Sequence, residues 1–458
     1  MFYSPNFNYL RDRSMTVSRT ICLGFLAVIA VGTLLLMMPF STSSGTWNDF
    51  IVALFTSTSA VCVTGHIVVD TGSYFSTTGQ VILLALVQVG GLGYMTATTF
   101  LLLLLGRRFG LRDKIALQQA LDRPGMQGVT QVLSSIVALT LIFELTGAFL
   151  LLAVFVPDHG WSKGLWLSIF HSITAWNNAG FSPFRDNLIG YQSSVLLNII
   201  IPALIIFGGI GYEVIFELFL WLRDRLARKS RKIVFSLNFK VATSTTIILL
   251  AISTIAIFFT ELNNPDTLGA MDFKTKVLTA WFQAVTPRTV GFNTVDIGKM
   301  TTASLFIMIV LMFIGGSPGG TAGGIKTTTL RILTSCTRAI LQGKEEAVLY
   351  ERQIPVSLIL KAVGVSVGSL AAVMVMTTLI AITDTHVSFI QILFEVMSGF
   401  GTVGLSTGIT AGLSTFAKLV LVATMYIGRV GVLLLIGAIL GDPNPSTIRY
   451  PEENLLVG

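Results

Sequence analysis

Charge is what this sequence has least of. Of its 458 residues only 12% are Asp, Glu, Lys or Arg, whereas 53% are hydrophobic. A soluble domain carries about 25% charged residues. With a mean hydropathy of +0.78, the chain falls in the membrane class. Cysteine is scarce too. Cys22, Cys62 and Cys336 lie far apart in or beside apolar runs, which leaves no CxxC pair and no disulfide framework. The four histidines, His66, His159, His171 and His386, have no zinc spacing and are isolated from one another. Neither a metal centre nor a catalytic cluster is expected, so the chain reads as no enzyme. The net charge is +7, but the basic residues sit in short links between apolar runs, which argues against nucleic acid as partner. No small-residue cleavage site clearly follows the first apolar run, Arg19 to Phe40, so it reads as a permanent helix and not as a secretory signal.

Eight apolar stretches are long enough to cross a bilayer, for which ~20 residues suffice. They run over 19–39, 76–105, 129–156, 193–222, 239–260, 301–337, 355–382 and 413–440. Between the members of each pair lies a shorter, more polar segment: 48–63, 161–178, 274–289 and 386–402. Irregular backbone at membrane depth survives only inside protein or beside a watery cavity. These segments are therefore expected to be re-entrant pore helices. One set of links is basic: Arg11, Arg13, Arg19; Arg107, Arg108, Arg112, Lys114, Arg123; Arg223–Lys232 and Lys240; Arg338, Lys344, Arg352, Lys361; and Arg449. The positive-inside rule makes that side cytoplasmic, with both termini inside, and the run Arg223–Lys232 needs no further role than this topogenic one.

The four short segments share a pattern. They read Phe55 to Gly65, Phe170 to Gly180, Trp281 to Gly291 and Phe394 to Gly404, with an aromatic residue ten positions before every glycine. Successive glycines lie 115, 111 and 113 positions apart. A fixed period with a shared motif signals internal repetition. The expected architecture is an all-α membrane protein of four tandem helix–pore-loop–helix repeats in pseudo-fourfold arrangement. The repeats occupy 19–105, 129–222, 239–341 and 355–440, followed by a cytoplasmic tail, 441–458. Glycine permits backbone conformations that turn carbonyls inward, and rings of such carbonyls can replace a cation's hydration shell. The expected selectivity filter is Val63, Thr64 and Gly65; Asn178, Ala179 and Gly180; Thr289, Val290 and Gly291; and Thr402, Val403 and Gly404. Potassium is the expected ion at these residues. A helix C-cap is the bland alternative for any one glycine. The second glycine of a potassium-channel filter is replaced by Ile67, Ser182, Asn293 and Ser406. A shorter filter and weaker discrimination against sodium are expected.

The second helix of each repeat carries small residues: Gly90, Gly91 and Gly93; Gly208, Gly209 and Gly211; Gly315, Gly316 and Ser317; Gly428 and Gly431. In the first two repeats close helix packing accounts for them. The third continues as Gly315, Gly316, Ser317, Pro318, Gly319, Gly320, Thr321, Ala322, Gly323, Gly324, Ile325 and Lys326. That run is too rich in glycine to stay helical, and Pro318 breaks it further. A phosphate loop does not fit, because Ile325 separates Gly324 from Lys326 and no strand precedes the run. Arg429 takes the second glycine's place in the fourth repeat. An arginine within a membrane is costly and functional by default, and it is expected at the pore near the glycine-rich run. Arg288 is expected to pack behind the third filter segment against Glu395, and Glu144 is given no role. Asp70, Asp186 and Asp296 follow the filter glycines and would either concentrate cations at an outer mouth or cap turns.

By its four filter segments and its interrupted third-repeat helix, nearly the whole chain resembles the Trk/Ktr/HKT superfamily of cation transporters, and within it the bacterial Ktr membrane subunits. The resemblance implies that Gly315–Gly324 forms an intramembrane gating loop beneath the filter, with Lys326 at its end and Arg429 at the same constriction. It also implies potential-driven potassium uptake across the cell inner membrane and sodium as an activator. A homodimer on a cytosolic ring of nucleotide-binding regulatory subunits of the RCK type is implied as well, the nucleotide being bound only by that separate subunit. No cofactor is expected within this chain. The competing reading is a symporter coupling potassium to sodium or protons, which needs acidic residues at the midplane; the sequence offers few.

Overall fold

The computed structural model describes residues 16–93, 129–228 and 234–441. Expectations that fall on other positions lie outside the described residues. They are the end of the 76–105 stretch, the basic links at 11–13, 107–123, 229–232 and 449, and the tail from 442 onward.

Long apolar helices open each quarter of the chain: Val17–Met37, the first part of Val129–Trp176, Leu237–Glu261 and Val356–Thr383. Their exposed faces are apolar and their packed faces carry hydroxyls. Leu237–Glu261 turns Ile247, Ile252, Ile255 and Phe259 outward while burying Thr245, Thr246 and Ser253. That is the reverse of a soluble helix and suits lipid. Ser253 and Thr260 donate to backbone carbonyls four residues back, at 2.7 and 2.9 Å, which satisfies these hydroxyls within the helix.

A short apolar helix follows each long one. Three are separate: Phe50–Val61, Phe273–Val285 and Phe389–Phe400. The other is the end of Val129–Trp176, set off by non-helical Gly160 at φ 76° and ψ 170°. Asp49 and Asp272 cap the first and third of them by accepting from backbone N–H groups of the first turn. None of the separate ones exceeds 13 residues, about 20 Å at 1.5 Å per residue, so none can span a bilayer.

The second helices correct the sequence reading. The stretches 193–222 and 413–440 are not continuous spans. Val195–Ile210 and Tyr212–Leu226 meet at 107°, and Thr415–Val430 and Val432–Leu440 at 94°. Gly211 and Gly431 sit at the breaks with φ of 98° and 90°, a region closed to most side chains. Gly93, at φ 77°, ends Thr77–Leu92 in the same way. Close packing explains a different glycine in each motif. A Cβ on Gly90, Gly208 or Gly428 would overlap the carbonyl oxygen of Val61, Trp176 or Phe400, at the end of the preceding short helix. One glycine thus lets the helix approach, and the glycine three positions later ends it.

Candidate functional site

Three of the four short helices end in the same backbone device, seen first in Phe50–Val61. At its C-terminus Val63 N–H donates to the Ala60 carbonyl at 3.1 Å and Thr64 N–H to the Ser59 carbonyl at 2.7 Å. Asn178 and Ala179 repeat the pair onto Ala175 and Thr174, and Thr402 and Val403 onto Gly399 and Ser398. This double closure is a helix C-cap whose first residue past the end must be left-handed, usually glycine. Here that place is taken by Val63, Asn178 and Thr402, at φ of 56°, 58° and 51°. Thr289 is also left-handed, at φ 67°, although Val290 N–H closes onto Thr286 instead, at 3.2 Å. The motif glycines are therefore not the caps. They lie two residues further on, again with positive φ: Gly65 85°, Gly180 63°, Gly291 90° and Gly404 85°.

The four loops meet in a closed cycle. A Cβ on Gly65 would overlap the Ala179 carbonyl oxygen, one on Gly180 the Val290 oxygen, one on Gly291 the Val403 oxygen, and one on Gly404 the Thr64 oxygen. All twelve sequence-predicted filter positions, Val63–Gly65, Asn178–Gly180, Thr289–Gly291 and Thr402–Gly404, are thus brought together. The Asn178 amide donates to the Arg288 carbonyl at 3.2 Å, tying the second loop to the third.

The glycine-rich run lies against these loops. Thr302–Phe313 stops at Ile314, and Thr327–Leu341 starts after Lys326. The neck is closed by Gly315 N–H to the Ile325 carbonyl at 2.8 Å and Ile325 N–H to the Phe313 carbonyl at 3.3 Å. Ser317 and Thr327 join their hydroxyls at 2.8 Å, and Lys326 Nζ donates to the Ala322 carbonyl at 2.6 Å. Pro318 precedes a turn at Gly319, φ 74°, whose carbonyl accepts from Tyr212 N–H at 3.2 Å. Ser317 and Thr321 N–H groups donate to the Gly209 and Gly208 carbonyls at 2.9 and 3.1 Å. Gly316 and Gly320 also face Gly209, so a Cβ at either would meet its carbonyl; one on Gly323 would strike the Thr402 side chain. Gly324 is left-handed at φ 64°. Thr321 Oγ1 donates to Asn178 Oδ1 at 3.1 Å, which connects the run to the second loop.

Arg429 reaches this run as expected. One guanidinium nitrogen donates to the Thr321 carbonyl and another to the Gly90 carbonyl of Thr77–Leu92. Arg288 differs from expectation. It lies 3.4 Å from Thr246 Oγ1 and 3.5 Å from the Gly315 carbonyl, not against Glu395. Glu395 is held by its own repeat's Ser406, Thr407 and Thr410 instead. Glu144 accepts from Asn177 at 2.9 Å. Asp70 and Asp296 cap local turns, accepting from Ser73 and Gly298 N–H at 3.1 and 3.0 Å. Asp186 accepts from Ile189 N–H through its backbone carbonyl, at 3.2 Å. Among the described residues no group of His, Cys, Asp and Glu could hold a metal ion.

These features define a helical membrane protein in which four loops, each following a short helix, converge at one place beside a broken helix. Comparison with known proteins agrees. Residues 5–442 match the family model of TrkH, described as a cation transport protein. The chain is 40% identical to the Ktr system potassium uptake protein B of Bacillus subtilis (strain 168), over 97% of each chain. It is 38% identical to the potassium/sodium uptake protein NtpJ of Enterococcus hirae, over 96% of each. The crystal structure of the potassium transporter TrkH from Vibrio parahaemolyticus shares the fold, with a TM-score of 0.73, 18% identity and coverage of 95% of this chain and 86% of that one. The chain belongs to the TrkH family of cation transport proteins.

Proposed function

We propose that this protein is a potassium uptake pathway in which the four converging loops form a short selectivity filter around one pseudo-fourfold axis. The closed cycle of glycine-to-carbonyl contacts carries this reading. A left-handed residue two positions before a left-handed glycine turns successive carbonyls to one side of the loop, the arrangement that replaces a cation's hydration shell. The short helices add their negative C-terminal dipole ends at the same place. The run Gly315–Gly324 serves as the gate, with Arg429 as its tie. Four helix–pore-loop–helix units, each entered from outside, make up the chain, with both termini on the cytoplasmic side of the cell membrane.

The 40% identical relative is described as part of a Ktr system for potassium uptake, which supports a further component acting on this chain; a nucleotide-binding cytosolic ring beneath a homodimer is the form proposed. The relative described as handling potassium and sodium supports sodium as an activator or second ion. Rubidium and sodium uptake into proteoliposomes, with and without an imposed potential, tests the reading. Rubidium uptake that follows the potential is expected. Uptake that ignores the potential but requires a sodium or proton gradient would replace the pore by a coupled symporter.

A further inference from the structure

Behind the filter three of the short helices are tied to the segments that leave the loops, and the tie recurs at one spacing. His171 Nε2 meets Ser182 Oγ at 3.0 Å, Gln283 donates to Thr294 Oγ1 at 3.2 Å, and Ser406 Oγ donates to Glu395 at 2.7 Å; each pair is eleven residues apart. The His171 and Glu395 pairs join the positions nine before and two after their loop glycine, and Gln283 and Thr294 lie one position further along. In the first unit neither register can form the tie, because Ile67 and Val68 carry no polar side-chain atom. The segment leaving the first loop has another neighbour. His66, fully buried directly after Gly65, places Nδ1 3.5 Å from Glu395 Oε2.

Glu395 is itself fully buried and is the most heavily engaged of these groups. Oε1 accepts from Ser406 Oγ at 2.7 Å, Thr407 N–H at 2.9 Å and Thr407 Oγ1 at 3.2 Å, and Oε2 accepts from Thr410 Oγ1 at 2.8 Å. The loops that Glu395 and His66 adjoin are neighbours in the cycle, since Gly404 packs on the Thr64 carbonyl. One carboxylate therefore braces its own loop and lies against His66 of the loop that lacks such a tie. We propose that Glu395 is a positioning residue for monovalent-cation discrimination, fixing the outer ends of the first and fourth loops through Ser406, Thr407, Thr410 and His66. It touches no ion, because it lies behind the loops. The proposal rests on the filter reading above.

Glutamine at this position keeps one acceptor oxygen for Ser406 and Thr407, and its amide can donate to Thr410 or to His66. Alanine removes all of these contacts. The ratio of rubidium to sodium apparent affinity in proteoliposomes separates the two. Glu395→Ala is expected to lower that ratio about tenfold, the scale set by losing hydrogen bonds to a charged group, while Glu395→Gln stays within about twofold of it. If Glu395→Ala does not insert, Glu395→Asp, which withdraws the carboxylate by one methylene, carries the expectation of a lowered ratio. An unchanged ratio in whichever of the two inserts overturns the proposal, and so does a Glu395→Gln ratio as low as that of alanine. Gly404→Ala serves as control. If it alters the ratio and Glu395→Ala does not, the positioning role fails alone. If neither alters it, the filter reading fails with it.

Discussion

Arg429→Ala removes a side chain that ties the glycine-rich run to the helix Thr77–Leu92. The arginine donates to the Thr321 carbonyl on one side and the Gly90 carbonyl on the other. A hydrogen bond to a charged group contributes about 1.5–3 kcal/mol. In the proposed gating, losing the Thr321 tie would shift the closed–open equilibrium of the run by that amount, or about 10- to 150-fold. The run keeps its other anchors on Gly208 and Gly209, so the variant is expected to fold. Potential-driven rubidium influx into proteoliposomes without any regulatory component is the assay, and influx should rise by at least about tenfold. Arg429→Lys should fall between the two. Lysine keeps the charge but offers one ammonium in place of a planar fork, and cannot reach both carbonyls at once. Influx within about twofold of the parent for the inserted Arg429→Ala protein would refute the tie.

Two further outcomes follow from the geometry. Asn178→Leu loses the bonds to Arg288 and Thr321 and also places a branched aliphatic side chain at φ 58°, whereas Asn178→Gly loses the bonds alone. Thermal unfolding of the detergent-solubilised protein should rank the parent above glycine and glycine above leucine, the last step being about 1–2 kcal/mol; leucine above glycine would show that the left-handed backbone is not a constraint. Asp384, at the end of Val356–Thr383, is pushed upward by burial, but hydrogen bonds from Ser414 N–H and Oγ and from Thr383 outweigh this and hold its carboxyl below the ordinary 3.8. Its contribution to stability is therefore complete above that ordinary value and is lost as the pH falls through the lower folded one. The unfolding midpoint of Asp384→Asn should consequently change less than the parent's between about pH 6 and about pH 3; equal changes would remove Asp384 from the acid response.

Much of this was legible in the sequence, and the remainder failed for identifiable reasons. The aromatic-to-glycine spacing located the four loops because glycine is required where a neighbouring carbonyl fills the space of a Cβ. Arg429 was placed near the run by the cost of a charge in an apolar stretch, whereas Lys326 is simply the residue at the run's own end. The sequence did not mark the left-handed backbone at Val63, Thr289 and Thr402. No local preference favours it in a β-branched residue; the surrounding loops impose it. The sharp turns at Gly211 and Gly431 were hidden because apolar composition runs on through them, although the third glycine of each motif was a signal for a helix end. Arg288 and Glu395 were paired by opposite charge, but they belong to different units. Glu395 is instead satisfied by hydroxyls eleven to fifteen residues along its own chain.

Left-handed conformations at Val63, Thr289 and Thr402 cost about 1–2 kcal/mol each. Such outliers persist only where the surroundings over-determine them. Each loop's glycine makes room for the next loop's carbonyl, so no loop can relax without displacing its neighbour, and the strain is held by the cycle as a whole. Asparagine is the one of the four residues that tolerates this conformation, and it stands in the second loop. Its side chain is also the one that bonds outward, to the third loop through Arg288 and to the glycine-rich run through Thr321. The least strained corner of the cycle is thus the corner attached to the part that moves in the proposed gating. A displacement of Thr321 would act directly on Asn178, whereas the strained corners, whose side chains are not bonded to Thr321, would be the last to follow.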